Sequence, residues 1–275
     1  MFLALVVLTV NLFWTGPGAA DSKAAAAAAA GIKAEKIDGS GVMTNKISSV
    51  QVPFIANEGQ IENKSVLFYA STFGGTVYVT KNGELVYSLP KFEEKAKDKA
   101  KNKAADRLLK HEARDRSSNL KLVGGWSLKE QLVGASSVSP QGVDAVQTRV
   151  NYFVGSDKSK WHSSIPTYNM VSLGEVYPGI DLNLRARGTN TEKIFTVHPG
   201  GDVEQIKLKV KGAHSLAINA RGELKIGTGL GPVRFTKPVA YQERMEKKNT
   251  SRWPMIWAKT ITASRWGITT RPAPW

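Results

Sequence analysis

Short runs of alternating apolar and polar residues recur along most of the chain and predict β-strands. Residues 180–184 and 206–210 are clear examples, with apolar side chains at every second position. Such alternation gives a strand one buried face and one wet face. Turn residues separate the runs at spacings of about 8–12 residues, as in antiparallel β proteins. The pattern therefore predicts a mainly β fold made of antiparallel, sandwich-like or meander sheets.

The region 149–188 carries the densest set of these signals. It begins with a run at 150–154, which reads as a strand with one buried face. A second strand is predicted near 168–173, after the extended entry that Pro166 imposes. Pro178 and Gly179 suit the two central positions of a tight turn into a third strand at 180–184. We expect the rest of the fold to be organised around this unit.

Eleven residues of this region form the structural motif that we single out. Aromatic residues, glycines and prolines dominate it, because anchors and turns fix the path of a strand pair. Its members are Asn151, Tyr152, Phe153, Gly155, Trp161, Pro166, Tyr168, Tyr177, Pro178, Gly179 and Asp181.

Two Gly-Glu-Leu words predict two hairpins of the same kind. Asn82-Gly83 separates the runs 76–80 and 84–89, and Asn-Gly is a strong hairpin signal because both residues tolerate positive φ. Gly222 occupies the same place between 216–218 and 224–226. An internal repeat is the alternative explanation, but two like turns suffice.

The segments before the first strand differ from the rest of the chain. Residues 1–20 join an apolar run to small residues, which is typical of a secretory signal peptide cleaved before Asp21. No Lys or Arg precedes that apolar run, and a buried helix is the alternative. Residues 21–46 include seven consecutive alanines and predict a low-complexity linker. The β-rich domain is expected at 47–243, in an exported chain whose mature form has no transmembrane helix.

The distribution of the net charge along the chain is more informative than its total. The chain carries +15, which invites a nucleic-acid interpretation, and it has no cysteine. The segment 91–116 holds ten basic and six acidic residues and predicts a solvated helical insertion. The segment 244–275 holds seven basic residues and one acidic residue. Most of the charge is therefore peripheral, and a nucleic-acid partner is not expected.

Several specific words resemble an uncharacterised domain of bacterial secreted proteins. They are PFIANEGQ at 53–60, NYFVGSDKSKW at 151–161, SIPTY, VYPGIDL and RFTKPVAYQE at 234–243. In that family the domain lies near the N-terminus and precedes β-propeller repeats of the SBBP type. The resemblance implies a secreted or cell-surface location and downstream repeats as partners. It carries no assigned activity.

The tail 244–275 departs from that resemblance. It contains four of the seven tryptophans and has neither helical nor strand periodicity. Back-translated and read one base out of frame, residues 255–275 give a phrase ending in YDPARPL, with permitted choices at degenerate codons. The family has a similar ending. We therefore expect a frameshift between about 246 and 253, and a genuine basic, aromatic tail that binds membranes or nucleic acid is the alternative.

The search for catalytic chemistry yields only weak candidates. His162, Ser163 and Ser164 with Asp157 offer triad residue types, but neighbours on one loop seldom converge. The glycines at 227–231 are not followed by a helix that could bind phosphate. His111, His198 and His214 lack metal-ligand spacing.

Turn carboxylates leave two alternatives open. Glu175, Asp181, Asp157 and Asp202 could bind Ca²⁺, although turn aspartates more often cap their own backbone. Glu175 and Asp181 could also serve a carbohydrate-active hydrolase. We expect no catalytic residue, no metal and no cofactor, with Ca²⁺ as the alternative.

A sugar-binding alternative depends on aromatic residues. Tyr152, Trp161, Tyr168 and Tyr177 could form a stacking platform for a glycan, although packing in the core is their more ordinary role. The sequence as a whole predicts an exported, non-catalytic structural or adhesive β-module with a glycan or protein ligand.

Overall fold

The structure is a computed structural model that describes residues 3–10, 50–72, 74–94, 120–244, 247–249 and 261–264. Its strands are β1 Leu3–Val10, β2 Gln51–Val52, β3 Phe54–Ala56, β4 Val66–Thr72, β5 Gly75–Thr80, β6 Leu85–Glu94, β7 Leu120–Leu132, β8 Gln141–Tyr152, β9 His162–Tyr177, β10 Ile180–Arg187, β11 Asn190–Val197, β12 Leu208–Lys211, β13 Ser215–Ile218, β14 Leu224–Thr228, β15 Gly231–Phe235, β16 Val239–Arg244, β17 Lys247–Asn249 and β18 Ile261–Ser264. Single 3₁₀ turns occur at Lys158–Lys160 and Val203–Gln205. Within these ranges, no helix has the length and apolarity that a bilayer span requires.

The strands form one large sheet and one small sheet. The large sheet has the order β17-β16-β1-β11-β10-β9-β3-β4-β5-β6-β7-β12-β18, with β2 beside β10 and β8 beside β9. The small sheet is β13-β14-β15. Among the described strands, β12 with β18 is the parallel exception to antiparallel pairing. The predicted mainly β, antiparallel fold is confirmed.

The large sheet curls, and the small sheet packs inside it. In β10, Ile180, Leu182 and Leu184 are buried and the residues between them are half-buried, so alternation selects the inner face. The same core contains Ile226 and Phe235 of the small sheet. Strands β7 and β11 lie in opposite halves of the strand order, yet a side chain of one contacts a side chain of the other. The sheet therefore curls far enough for its inner face to meet itself.

Both predicted Gly-Glu-Leu hairpins are present and share one loop geometry. Gly83 has φ +73° and Gly222 has φ +76°, and each donates its N–H back to the residue three positions earlier. Asn82 does not have positive φ, so the turn is not the mirror-image type that Asn-Gly favours. Each loop is instead a turn followed by a glycine with positive φ. Hairpins whose loops are longer than two residues commonly adopt this geometry.

The Tyr177-Pro178-Gly179 turn is also confirmed. Ile180 pairs with Tyr177, and Gly179 has φ +71°, which is the conformation that glycine accepts without strain. The preceding strand is longer than predicted, because β9 runs from His162 to Tyr177 through Pro166. Pro166 lies opposite a break in the regular pairing of β8 with β9. Proline has no backbone N–H to donate, so it removes the fewest hydrogen bonds where the pairing is already irregular.

Two sequence predictions need correction. The strand at 150–154 has no buried face: β8 pairs only with β9 among the described strands, and none of its residues is buried. Alternation shows that a strand has two faces but does not show that either is covered.

The helical insertion at 91–116 is not shown. Residues 91–94 instead continue β6, paired with β7, and 95–119 lie outside the described residues.

The remaining domain boundaries fall mostly outside the described residues. This holds for the predicted linker at 21–46 and for all of the tail 244–275 except Arg244, β17 and β18. Strand β1 lies within the predicted signal peptide and pairs with both β11 and β16.

Candidate functional site

The tip of the β8–β9 hairpin is a short loop fixed by local hydrogen bonds. Asp157 caps the 3₁₀ turn by accepting bonds from the backbone N–H of Ser159 at 3.0 Å and from its hydroxyl at 2.7 Å. These two bonds lower the pKa of the exposed Asp157 carboxyl, which therefore stays ionised. At the base of the loop, Asn151 accepts the backbone N–H of Ser164 at 2.9 Å. The loop is thus ordered although it lies at the surface.

Two aromatic side chains are exposed together on this loop. Phe153 is 56% exposed and Trp161 is 38% exposed, with their ring centroids 5.3 Å apart. The indole Nε1 of Trp161 donates to the carbonyl of Gly155 at 3.1 Å. The Nζ of Lys158 lies 5.8 Å from the centre of the Trp161 ring. The hairpin-tip platform, defined as Phe153 and Trp161, is therefore an oriented aromatic surface with a cation beside it.

The structure separates the aromatic residues that the sequence grouped as a sugar platform. Only Trp161 is exposed. Tyr152 is half-buried at the end of β8, and the half-buried Tyr168 makes an edge-to-face contact with Phe68 at 5.8 Å. Tyr177 is buried, and its hydroxyl donates to the carbonyl of Val133 at 3.1 Å. Phe153, which belongs to the eleven-residue motif but not to that predicted platform, lies beside Trp161 in place of the tyrosines.

The turn carboxylates have local partners at the other end of β9. Glu175 accepts the N–H of Gly179 at 2.8 Å, and Asp181 lies 2.7 Å from the Nε2 of His198. Asp202 accepts the N–H of Glu204 at 2.9 Å. The contacts of Glu175 and Asp202 agree with the capping interpretation, whereas Asp181 contacts a side chain. Among residues whose side chains are described, no three acidic or histidine groups converge to hold a metal ion.

The other weak candidates are resolved by their geometry. The carboxylate of Asp157 accepts hydrogen bonds from Ser159, so it caps the loop and does not orient His162 as a triad would require. The glycines at 227–231 connect β14 to β15, and a Cβ at Gly229 would lie 2.4 Å from the ring of Trp126. Close packing, rather than phosphate binding, explains a glycine at that position.

A buried polar cluster escaped the sequence interpretation. Lys193 of β11 and Glu130 of β7 are 1% and 2% exposed, and Lys193 Nζ lies 2.7 Å from Glu130 Oε2. The hydroxyl of Tyr87 on β6 donates to the same oxygen at 3.1 Å. A signal was present, because Lys193 shares its alternating face with Phe195, and Glu130 shares its own with Leu128. A charged residue in phase with an apolar stripe indicates an interior charge.

Comparison with known proteins gives a match to a protein family. A family model described as "Domain of unknown function (DUF7948)" matches residues 54–253. No curated protein and no solved structure matches the chain. The match includes the β8–β9 hairpin and all three residues of the buried cluster.

Proposed function

We propose, from the premise that the chain belongs to this family of unknown function, that its domain is an exported, non-catalytic adhesive module. The hairpin-tip platform carries the proposal. Exposing two neighbouring aromatic rings is unfavourable in water unless a ligand covers them, and clustered exposed apolar groups mark binding sites. The Trp161 ring is also held by its hydrogen bond to the Gly155 carbonyl, so that side chain has less entropy to lose on binding.

A surface glycan is the ligand class that best suits this platform. The apolar faces of sugar rings stack on aromatic rings, and two side-by-side aromatic groups offer room for adjacent residues of a polysaccharide. Lys158 and Lys160 flank the platform and are exposed, which favours an anionic glycan. The capped Asp157 is already bonded to Ser159 and so keeps the loop in shape.

Binding to immobilised anionic and neutral polysaccharides tests this function. Trp161→Ala and Phe153→Ala should each weaken binding about tenfold or more, since exposed aromatic anchors dominate such contacts. Val143→Ala is the matched control, because Val143 is also exposed on β8 but lies away from the tip. Equal binding by wild type and by both aromatic variants would refute the assignment to this platform.

Export and downstream repeats complete the proposal. The apolar segment followed by small residues in 1–20 supports secretion, and the resemblance of the words at 53–60 and 151–161 supports an N-terminal place before propeller repeats. Fractionation of cells that express the full chain tests export, because cleavage before Asp21 should yield a mature extracellular species beginning at that residue.

A frameshift in the gene is the companion proposal for the tail. The out-of-frame phrase at 255–275 supports it, since it restores a family-like ending. Resequencing from the codon of Tyr241 through the region beyond Trp275 tests it. One added or missing base followed by glycine-rich repeats is the expected result, whereas a confirmed reading frame without such repeats would make the printed tail genuine.

A further inference from the structure

The buried cluster of Lys193, Glu130 and Tyr87 joins one strand to two neighbouring strands that are remote from it in sequence and in sheet order. Lys193 lies on β11, Glu130 on β7 and Tyr87 on β6. The Nζ of Lys193 also lies 4.8 Å from the centre of the Phe235 ring of the small sheet. A lysine and a glutamate are thus enclosed by aromatic rings in the deepest part of the domain.

The hydrogen bonding of this cluster is one-sided. Glu130 Oε2 receives both Lys193 Nζ at 2.7 Å and the Tyr87 hydroxyl at 3.1 Å. Glu130 Oε1 is buried and has no hydrogen-bond partner among the described residues. A buried carboxylate with one bare oxygen is poorly stabilised, and a buried ion pair in general contributes little to stability. The arrangement therefore needs an explanation other than a stabilising salt bridge.

We propose that Lys193 and Glu130 condense to form an intramolecular isopeptide bond that joins β11 to β7. The Nζ–Cδ bond forms and the Cδ–Oε2 bond breaks. The lysine ammonium gives up two protons, both of which leave on Oε2 as one molecule of water. No oxidant, reductant or further reactant is needed. Oε1 remains as the amide carbonyl oxygen, which carries no net charge and tolerates burial better than a carboxylate oxygen.

Three features of the site promote this condensation. The hydrogen bond holds the nitrogen beside the carboxyl group, which replaces an encounter between two molecules with an intramolecular step. Burial lowers the pKa of Lys193, which favours the neutral, nucleophilic amine. Burial and the neighbouring Glu130 raise the pKa of Tyr87, so its hydroxyl stays protonated and donates to the departing oxygen.

A covalent cross-link also suits the chain as a whole. Cysteine is absent, so no disulfide can join its strands. An amide between β7 and β11 would covalently cross-link the two halves of the large sheet through its core. The inference is independent of the ligand proposed for the hairpin tip.

Peptide mass spectrometry of the soluble, folded full chain tests the bond directly. Trypsin cleaves after Lys129 and Arg149 and so releases peptide 130–149, which carries Glu130. An amide on Lys193 blocks cleavage at that residue and leaves peptide 188–207 intact. We expect the two peptides as one branched species, lighter than their sum by one water. Free 130–149 together with 188–193 and 194–207 from the folded wild-type chain would overturn the proposal.

Internal controls sharpen this test. Lys129 and Glu84 lie at 2.8 Å, almost the same separation, but both are partly exposed, and they should remain unlinked. Lys193→Met should abolish the branched peptide. In cell-free synthesis, Tyr87→Phe should slow formation of the linked chain by about 10²-fold, the usual contribution of a positioned proton donor. An unchanged rate in that variant would overturn the role of Tyr87.

Discussion

The buried Lys193–Glu130 pair and the exposed Phe153–Trp161 pair depart from the usual distribution of residues in opposite directions. One places charges in the core, and the other places large aromatic rings in water. Elsewhere in β10 and β11 the alternation of buried and half-buried positions is regular. Departures from an otherwise consistent pattern are the places to look for function.

The two regions also differ in how they are held together. The buried cluster needs three strands from both halves of the large sheet, so it exists only in the folded domain. The hairpin tip is held by bonds within 151–164, such as that from Trp161 to the Gly155 carbonyl. Substitutions in the first region should therefore change the global free energy of unfolding, and those in the second should change binding alone.

Glu130→Leu should give the largest effect. It leaves the amine of Lys193 buried without its acidic partner, which costs about 3–5 kcal/mol of unfolding free energy, and it also prevents the proposed cross-link. The double variant Glu130→Leu/Lys193→Met should recover much of that loss, because it removes the isolated charge. Guanidinium denaturation monitored by tryptophan fluorescence measures both. A single variant as stable as wild type would show that the cluster is not buried as described.

Tyr87→Phe should have a smaller effect in the same region. It removes the hydroxyl that donates to Glu130 and leaves the ring, so we expect a loss of about 1–3 kcal/mol. Tyr177→Phe is a suitable comparison, since the partners of its hydroxyl in the described part of the chain are uncharged backbone groups of Val133 and Lys207. Its loss should be about 0.5–1.5 kcal/mol. Equal losses in urea unfolding would indicate that the bond from Tyr87 to Glu130 stabilises the fold no more than a bond to a backbone group.

Trp161→Ala should change the unfolding free energy by less than about 1 kcal/mol, because the ring is part-exposed and outside the core. Its effect should appear in glycan binding instead. Thermal unfolding of the variant beside wild type checks the stability half of the comparison. A large fall in Tm would mean that the tip is a structural element, and the contrast between the two regions would collapse.

The surface pair Glu84–Lys129 should give the smallest effect, and it depends on pH. Burial opposes ionisation of Glu84, but hydrogen bonds from Lys129 and Gln131 outweigh it and lower its pKa below the usual 4.5. The ionised Glu84 therefore stabilises the fold at pH values above its usual pKa. This stabilisation is lost as the pH falls through the pKa of Glu84 in the folded protein. Glu84→Gln should remove this acid-dependent component, worth about 0.2–1 kcal/mol. Unfolding curves from pH 6 to pH 3 should show it, and identical curves would contradict it.

Local sequence signals predicted most strands and turns of this fold. The Tyr177-Pro178-Gly179 turn and the two glycine loops follow from backbone preferences within a few residues, which the sequence displays directly. The exposure of β8 could not be predicted, because it depends on whether another layer covers that strand. The meeting of Lys193 with Glu130 depends on how the large sheet curls, a property of many pairings at once. The charged residues in phase with apolar stripes were visible, but their partners were not.

If residues 1–20 are the signal peptide proposed above, strand β1 links its cleavage to the completion of the large sheet. It lies between β11 and β16, so that Val6 pairs with both Phe195 and Ala240. Cleavage before Asp21 would withdraw it and leave two facing rows of unsatisfied N–H and C=O groups, separated by the width of one strand. Such a gap is a template for another extended segment. Strand β1 would then fill the gap between β11 and β16 until cleavage, and its removal would leave that gap free for a replacement strand.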